Sequence, residues 1–460
     1  MKKTLFFSAY STMGFRNFLV IPNGVAARLA QNKNLELVFL IPRGSNLGAL
    51  IKKYNLGPNV IVEEVDTKMQ KFSLIQKAFY FFYSYLIFTG TTRLLATFGA
   101  RADAPPAGGN RYAAPLKSLI SKTFGRSRRI KTVFVPWAYK KLFFRKELAD
   151  LFEKYHPDLV FLSGIAAFED EELLAEAQRR RVKTIGMPTN WDHLNKYYIP
   201  VHADFLLIQN EPMKKEAMEY HGYREDQIVM VGFPQFDFYV IGKEYIKPRA
   251  EVFKKYGFDP DSKLILFISG SVYALDEQDI LRAIYDRAWR GEFGYPVSVM
   301  VRPYPNRADI VKYKHLEGLP GIAFFWENTS TNFENIIEFT NILRHADAVI
   351  SVFSTTAIEA AIFDKPTITI GFDGYSKRPM HQSLARMEKL SHFKHVLDTG
   401  SVKVARSFEE LFAQLGQYLK SPETDREQRK LLIEKMCYKM DGNSTQRIVE
   451  FINAQLSDAK

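Results

Sequence analysis

Three consecutive hydroxyl side chains, Ser354, Thr355 and Thr356, stand where a predicted strand gives way to a helix. Such a turn brings hydroxyls, backbone N–H groups and the positive end of a helix dipole together, which suits a phosphate or diphosphate. Glu359 lies one helical turn later, where a carboxylate can accept hydrogen bonds from sugar or ribose hydroxyls. These residues predict a nucleotide-sugar pocket. A simple helix cap at Ser354 is the competing interpretation, because serine commonly has that role.

The segments on either side of this turn predict a βαβ unit. An apolar strand at 348–353 precedes the turn, and a second strand of buried type comes after the helix at 367–372. In open α/β sheets ligands bind beyond the carboxyl ends of the strands, where Ser354 would lie. The context therefore favours a ligand site over a cap.

The composition is that of a folded protein with more than one domain. The chain has 460 residues, of which 46% are hydrophobic and 25% are charged. Cys437 is its only cysteine, which excludes an intramolecular disulfide and a zinc site built on thiolates, and favours a reducing cytosolic compartment. The first residues resemble a secretory leader superficially, but their apolar run is short and Arg16 interrupts the next segment. A first β-strand explains them better.

Residues 67–146 hold sixteen basic residues and one acid, Asp103, so their charge of +15 exceeds the net charge of +12 of the whole chain. The uncharged stretch inside this region, 78–92, is shorter than the roughly 20 residues that a membrane-spanning helix needs. Basic residues interleaved with aromatic ones predict peripheral contact with an anionic membrane on its cytoplasmic side. The predicted membrane-contact residues are Arg126, Arg128, Arg129, Lys131, Trp137, Lys140, Lys141, Phe143 and Phe144.

Two other interpretations of this region stay open. The aromatic side chains can pack in a core while the charges form a solvated face. Basic and aromatic residues also serve single-stranded nucleic acid, but no helix-turn-helix, zinc-finger or RNP-like pattern is present, so nucleic acid is an unlikely partner.

Strand-like and helix-like segments alternate along the chain, which predicts two doubly wound α/β domains in series. We place the first domain at 1–240, with 67–146 as an insertion, and the second at 241–430. A helical segment at 431–460 is predicted to pack back across both domains, with a break at 441–443. The predicted strands are 5–10, 35–41, 60–65, 159–163, 182–188, 205–209, 228–231, 264–269, 297–302, 348–353 and 367–372.

Four motifs carry a resemblance to a known family. They are Thr189-Asn190-Trp191-Asp192-His193-Leu194, Gly232-Phe233-Pro234-Gln235-Phe236-Asp237, Val301-Arg302-Pro303-Tyr304-Pro305 and STTAIEAAIFDKP from Ser354. Together they resemble GT-B glycosyltransferases of the bacterial surface-polysaccharide type, to which the CDP-glycerol glycerophosphotransferases are related at fold level. The resemblance covers roughly 158–373 and the 441–448 segment. It implies two Rossmann-like domains facing across a cleft, with the nucleotide-sugar donor in the second and the acceptor in the first.

Under this resemblance the second domain supplies the donor site. Ser354, Thr355 and Thr356 would hold the diphosphate, with Glu359 beside it, and Arg302 would be the cationic partner of the phosphates. Gly270 and Ser271 would permit close backbone approach. The donor-binding prediction is thus Gly270, Ser271, Arg302, Ser354, Thr355, Thr356 and Glu359. A surface ion pair at Arg302 and an ordinary turn at Gly270 and Ser271 are the alternatives.

The first domain would supply the acceptor side and the general base. Gly14, which comes after the first strand, resembles the glycine loop of GT-B enzymes and is the predicted acceptor-binding residue. Asp192 is the first choice for the base that deprotonates the acceptor hydroxyl, and His193 is the rival. A turn or cap role at Asp192 is an equally good interpretation.

The resulting expectation is a metal-independent glycosyltransferase without a cofactor, moving a sugar, most simply from a UDP-sugar, to a lipid-linked or polysaccharide acceptor. No P-loop or dinucleotide fingerprint lies at a strand end, so ATP or NAD chemistry is not expected. Three alternatives stay open. They are a CDP-glycerol-type polyol phosphate transferase, a UDP-sugar 2-epimerase and a membrane-docked sugar-binding module without activity.

Overall fold

A computed structural model describes residues 2–67, 72–99, 101–102, 113–304, 306–326 and 332–458. The chain forms two compact units, each built on a parallel sheet. Unit 1 consists of Met1–Thr89, Pro115–Ile241 and Cys437–Lys460, and unit 2 of Gly90–Ala114 and Gly242–Met436.

The sheet of unit 1 has the strand order β3-β2-β1-β4-β5-β6-β7, and all neighbours run parallel. Its inner strands are buried on both faces, which is why they are continuous apolar runs without alternation. The strands are β1 Lys3–Ser8, β2 Leu35–Pro42, β3 Val60–Val65, β4 Leu159–Leu162, β5 Lys183–Gly186, β6 Phe205–Ile208 and β7 Ile228–Met230.

The sheet of unit 2 has the order β10-β9-β8-β11-β12-β13, also parallel throughout. One face packs on helices through buried side chains such as Phe253, Leu266 and Phe339. The strands are β8 Lys263–Ile268, β9 Val297–Arg302, β10 Ile322–Phe324, β11 Ala348–Ser351, β12 Thr367–Ile370 and β13 Val402–Ala405.

Helices connect the strands in both units. Among the described residues they are α1 Thr12–Phe15, α2 Val25–Ala30, α3 Leu47–Lys53, α4 Leu74–Ser84, α5 Gly90–Phe98, α6 Ala114–Thr123, α7 Val135–Leu142, α8 Lys146–Tyr155, α9 Phe168–Arg179, α10 His193–Lys196, α11 Glu211–Glu216, α12 Pro234–Ile241, α13 Arg249–Tyr256, α14 Glu277–Trp289, α15 Arg307–Tyr313, α16 Phe333–His345, α17 Thr356–Ile362, α18 Ser391–Leu397, α19 Phe408–Lys420, α20 Arg426–Cys437 and α21 Ser444–Ser457. Cys437 is buried. Within the described parts of the chain, no helix has the length and apolarity required to cross a bilayer.

All eleven predicted strands are present, and the predicted break near 441–443 separates α20 from α21. Two further strands, β10 and β13, are absent from the prediction. They are short strands at the two edges of the second sheet.

The two units differ from the predicted domain layout in one place. The prediction places segment 90–114, with the whole of 67–146, in the first domain, but it belongs to unit 2. There the Thr91 backbone N–H donates to Ser391 Oγ at 3.0 Å. The segment predicted to pack back across both domains, 431–460, is divided between the units, and its last helix, α21, lies in unit 1. Its packing across both domains stays a prediction. The Asp237 carboxylate fixes the start of α21 by accepting from the backbone N–H groups of Ser444 and Thr445, at 3.0 and 2.7 Å.

A run of three buried acids opens α9 in unit 1. Ser8 donates to Asp170 at 2.6 Å, Tyr83 donates to Glu171 at 3.2 Å, and Glu172 forms a buried ion pair with Arg145 at 3.1 Å. Burial is the main cause that raises the pKa of Glu171 to about 8. Native unit 1 therefore retains a proton on this carboxyl at pH values where the unfolded chain has lost it.

This proton makes the stability of unit 1 depend on pH. Because the folded pKa is raised, the stability falls as the pH rises from about 4.5 to about 8. We expect the Glu171→Gln variant to lose less thermal stability than the wild type between pH 5 and pH 8.5, by on the order of 5 °C in Tm. Calorimetry of both proteins and of Glu153→Gln, an exposed acid on α8, measures this. Equal pH slopes for all three proteins would contradict the assignment.

Candidate functional site

Each sheet has one position where the strand order reverses. In unit 2 this switch lies between β8 and β11, and in unit 1 it lies between β1 and β4. In open parallel sheets ligands bind beyond the carboxyl ends of the strands at such a position. The Ser354 turn comes after β11, and Gly14 comes after β1, so both predicted loops lie at switch points.

The Ser354 turn is closed by its own hydroxyls. Ser354 Oγ accepts from the Thr356 backbone N–H and donates to Thr356 Oγ1, both at 3.2 Å. Thr356 is buried, whereas Ser354 and Thr355 are partly exposed. Thr356 therefore has a structural role inside the turn, which differs from its predicted contact with a diphosphate. Ser354 lies one position before the N-cap residue, Thr355, and is partly exposed beyond the end of β11.

Glu359 lies in the first turn of α17 and is partly exposed on the same edge of the sheet. The residue before the turn, Phe353, has a φ of +42°, in the left-handed region. Ser271, beyond the end of the neighbouring strand β8, has a φ of +50°. Non-glycine residues in this region are strained, and such strain clusters at ligand sites. Both strand ends thus carry a residue in the left-handed region, as do seven other non-glycine residues of the described chain.

Gly270 and Ser271 are occupied by contacts within unit 2. The Gly270 N–H donates to Glu277 Oε2 at 2.7 Å, and the Ser271 N–H donates to Ser269 Oγ at 2.9 Å. A Cβ on Gly270 would lie 2.9 Å from Val352 Cβ, so glycine allows the ends of β8 and β11 to approach each other. Both residues thus help to position the loop, and their predicted close approach to a donor stays a prediction.

A buried ionic network that sequence reasoning missed supports this loop. Glu277 and Asp309 are fully buried, and Ser269 Oγ lies 2.7 Å from Glu277 Oε1 and from Asp309 Oδ2, so the two carboxylates share its single proton. Lys312 Nζ donates to Glu277 Oε1 at 2.8 Å and to the Ser271 carbonyl at 2.9 Å. Asp309 also accepts from the Tyr304 N–H at 2.8 Å. The network therefore fixes the loops after β8 and β9 together.

Arg302 ends β9, and its guanidinium stacks on the Phe339 ring at 3.9 Å from the ring centroid. Arg302 thus lies at the carboxyl edge of the second sheet. Its contact with the phosphates stays a prediction. A cavity of about 530 Å³ opens beyond β12 and β13 at the same edge. Its lining includes Asp373, Lys377, Arg378 and Arg406. The predicted site does not include these residues. The cluster of polar residues directly after a buried strand could have indicated them.

In unit 1, Gly14 is buried in α1, and its N–H donates to Ser11 Oγ at 2.9 Å. A Cβ at this position would lie 2.6 Å from Ser163 Oγ, just beyond the end of β4. A larger residue at this position would force the Ser163 hydroxyl to move, so glycine favours close packing across the switch point. The acceptor contact of Gly14 stays a prediction.

Asp192 and His193 lie beyond β5 at the start of α10. The Asp192 carboxylate is buried and forms an ion pair with Lys196. Burial lowers the pKa of His193, against the opposing effect of Asp192, so its imidazole is neutral near pH 7. Its Nδ1 is buried and has no hydrogen-bond partner among the residues that the structure describes. The role of Asp192 or His193 as the general base stays a prediction.

The structure changes the predicted membrane-contact set. Lys131 and Phe143 are 6% and 3% exposed, so neither can contact a membrane surface. Lys131 donates to the Glu219 carbonyl, and Phe143 packs against Tyr139 with ring centroids 4.6 Å apart. The remaining predicted residues are at least partly exposed. They are Arg126, Arg128, Arg129, Trp137, Lys140, Lys141 and Phe144.

In the described part of the chain, no group of three or more His, Cys, Asp or Glu side chains is arranged to hold a metal ion.

Comparisons with known proteins agree with this architecture. The chain is 23% identical over 176 residues to the teichoic acid poly(ribitol-phosphate) polymerase of Bacillus spizizenii. The match covers 36% of this chain and 26% of that protein, so the chain spans about a quarter of the length of this curated relative.

Two solved structures are similar over almost the whole chain. S. aureus MnaA, in a structure with UDP, has a TM-score of 0.58 at 13% identity, covering 99% of this chain and 97% of that chain. UDP-GlcNAc 2-epimerase from Neisseria meningitidis bound to UDP-GlcNAc has a TM-score of 0.57 at 13% identity, covering 99% and 100%. At this identity the likeness shows the fold, and the predicted GT-B class with two Rossmann-like domains is confirmed.

The sequence itself identifies the family. Residues 179–454, which are more than half of the chain, match the family described as CDP-glycerol:poly(glycerophosphate) glycerophosphotransferase. The predicted resemblance to bacterial surface-polysaccharide transferases is thereby confirmed. The chain belongs to the CDP-glycerol:poly(glycerophosphate) glycerophosphotransferase family of transferases.

Proposed function

We propose that this protein transfers a polyol phosphate, with glycerol phosphate as the first candidate, from a CDP-linked donor to a growing cell-surface polymer or its lipid-linked primer. The observation that carries the proposal is the family match over residues 179–454, which includes both His193 and the Ser354 turn. It favours the CDP-glycerol alternative over the sugar transfer that was our main expectation. The similarity to the poly(ribitol-phosphate) polymerase supports the same choice.

The proposed reaction is a phosphoryl transfer. A hydroxyl oxygen of the acceptor attacks the β-phosphorus of the donor, and the bond from that phosphorus to the bridging oxygen breaks. CMP leaves with the bridging oxygen, and the acceptor proton passes to a base. Negative charge grows on the leaving phosphate, so a fixed cation and hydroxyl donors at the diphosphate lower the barrier.

The residues of this chain can be assigned to that reaction. In unit 2 we assign Arg302 and the hydroxyls of Ser354 and Thr355 to the diphosphate, and Glu359 to the ribose hydroxyls. In unit 1 we assign the general base to His193, because it is neutral near pH 7 and its Nδ1 has no partner among the described residues.

A nucleotide-release assay tests the function. The protein is incubated with CDP-glycerol, CDP-ribitol and UDP-sugars together with a polyol phosphate primer, and the released nucleotides are separated by chromatography. We expect CMP release and an extended primer with a CDP-polyol only. Release of UDP with a sugar-extended acceptor would contradict the proposal, as would an altered sugar without nucleotide release.

The same assay also tests the assignment of Glu359 to the donor site. Glu359→Gln should raise the apparent KM for the CDP-donor at least about tenfold, since it removes a charged acceptor of ribose hydrogen bonds. Glu427→Gln, a change at an exposed acid elsewhere in unit 2, should leave it unchanged. Equal KM values for both variants would remove Glu359 from the donor site.

A further inference from the structure

A cavity of about 400 Å³ opens between two segments of unit 1. Arg126, Arg128 and Lys131 line one wall, just before and within a π-helical turn, Ile130–Phe134, that continues into α7. Residues of the segment 218–225, between α11 and β7, line the other wall. Neither wall contains a residue that we assign to the transfer reaction.

The cavity lies at the amino edge of the first sheet. Tyr223, which lines it, comes just before β7, and its hydroxyl accepts from the backbone N–H of Ala203, just before β6, at 3.1 Å. Gly14 and His193 come after β1 and β5, at the carboxyl edge. Because all strands of this sheet run parallel, the cavity and the predicted acceptor site are at opposite edges.

The first wall presents cations without competing partners. Arg126 and Arg128 are exposed, and neither guanidinium has a hydrogen bond or an ion pair among the described residues. Lys131 is 6% exposed, and its ammonium donates to the Glu219 carbonyl at 3.4 Å, its one hydrogen bond in the described chain. Burial lowers the pKa of Lys131 to about 8, against the opposing effect of Glu219. An anion in the cavity would supply the counter-charge that these groups lack.

The second wall adds carboxylates to this set. Glu219 and Glu225 line the cavity opposite the cations. Glu225 forms an exposed ion pair with Lys214, and Arg224 forms one with Asp226. Cations bind phosphate oxygens, and carboxylates accept hydrogen bonds from hydroxyl groups. The cavity therefore matches a ligand that carries both phosphates and hydroxyls better than one that carries phosphates alone.

We propose that this cavity is a second binding site for the polymer, which takes a phosphate diester and the neighbouring hydroxyls of a polyol phosphate chain. Arg126, Arg128 and Lys131 hold the phosphate, and Glu219 and Glu225 accept from the hydroxyls. The choice of polymer rests on the proposed function. A long chain held at the amino edge has its free end at a raised local concentration near the carboxyl edge, which favours repeated addition.

Binding of a fluorescent glycerol phosphate oligomer to the full chain, without a donor, tests the site. We expect the wild type to bind it, and to bind more weakly as the salt concentration rises. Arg126→Gln/Arg128→Gln should weaken binding at least about tenfold, since two charge-assisted contacts are lost. Lys52→Gln/Lys53→Gln removes two exposed cations of α3 and is the matched control, which should bind as the wild type does. Circular dichroism must show equal folding of the variants.

A second ligand tests the role of the carboxylates. The wild type should prefer the glycerol phosphate oligomer to inorganic polyphosphate with the same number of phosphates at least about threefold. Glu219→Gln/Glu225→Gln should lose this preference, because the variant no longer repels the phosphates or accepts strongly from hydroxyls. An unchanged preference in this variant would contradict the assignment of the hydroxyls.

Primer length separates this site from the catalytic one. Arg126→Gln/Arg128→Gln should raise the KM for a primer of many units at least about tenfold, and that for a single-unit primer much less. His193→Gln should lower kcat with both primers. Because oligomer binding is measured without a donor, absence of CMP release would reject the proposed function and leave the binding result readable.

Three results would overturn the proposal. The first is absence of oligomer binding by the wild type. The second is equal oligomer affinity for Arg126→Gln/Arg128→Gln and Lys52→Gln/Lys53→Gln. The third is unchanged oligomer affinity in the arginine variant together with a loss of affinity for anionic vesicles or for a single-stranded oligonucleotide. That result would assign the cavity to a lipid headgroup or to nucleic acid.

Discussion

Replacing Lys312 by methionine should destabilise unit 2 by about 3–5 kcal/mol, because it removes the cation from a buried ionic network. Lys312 Nζ lies 2.8 Å from Glu277 Oε1, and both Glu277 and Asp309 are fully buried. Two carboxylates would then remain in the interior without a compensating charge. Methionine keeps the length of the side chain, so the loss reports the charge and its hydrogen bonds.

The chain supplies a matched control for this effect. Lys255 pairs with Glu338 at the same distance of 2.8 Å, but the Lys255 side chain is 55% exposed. Lys255→Met should therefore cost at most about 1 kcal/mol. Hydrogen exchange, followed separately for each unit, measures the stability of unit 2 in both variants. The double variant Lys312→Met/Glu277→Gln should recover part of the stability that Lys312→Met loses. Equal losses for Lys312→Met and Lys255→Met would show that the buried network does not hold unit 2 together.

The His193→Gln variant should lower kcat by about 10²–10⁴-fold with the preferred CDP-donor, the range typical for removal of a general base. Burial lowers the pKa of His193, so the wild-type enzyme should keep its base active to pH values below the usual histidine pKa of about 6.5. The fall of kcat/KM at low pH should therefore have its midpoint below about 6.5 in the wild type. This fall should be absent from His193→Gln.

The Asp192→Asn variant separates the two candidates for the base. Asp192 forms an ion pair with Lys196, and we expect its replacement to reduce kcat less than that of His193. Because Asp192 raises the pKa of His193, the acid limb should move to lower pH in Asp192→Asn. A larger kcat loss in Asp192→Asn, with an unchanged limb in His193→Gln, would return the role to Asp192.

Much of the fold could be predicted because its strands are buried on both faces. Apolar runs such as 348–353 and 367–372, separated by a helix with polar ends, leave few alternatives to a βαβ unit. The position of Ser354 at a carboxyl strand end results from that connectivity alone. The edge strands β10 and β13, which are three and four residues long and include partly exposed positions, were not predicted.

The contacts of individual side chains were much harder to predict. In the 130–142 helix nearly every position is apolar or basic, so periodicity did not reveal that Lys131 faces inward while Val133 faces outward. The network of Glu277, Asp309 and Lys312 joins residues from two separate helices, so no local sequence pattern predicts it. The motifs could not identify the transferred group either, because sugar donors and polyol phosphate donors both contain a diphosphate.

The single cysteine has a practical consequence for studying this enzyme. Cys437 is buried, and burial raises the pKa of its thiol, so little reactive thiolate forms at neutral pH. The native chain should therefore react very slowly with maleimide reagents. One cysteine introduced at an exposed position, such as Trp137 or Tyr375, would become the sole fast-labelling site. Fluorescent or spin probes can therefore report on either unit without first removing a native thiol.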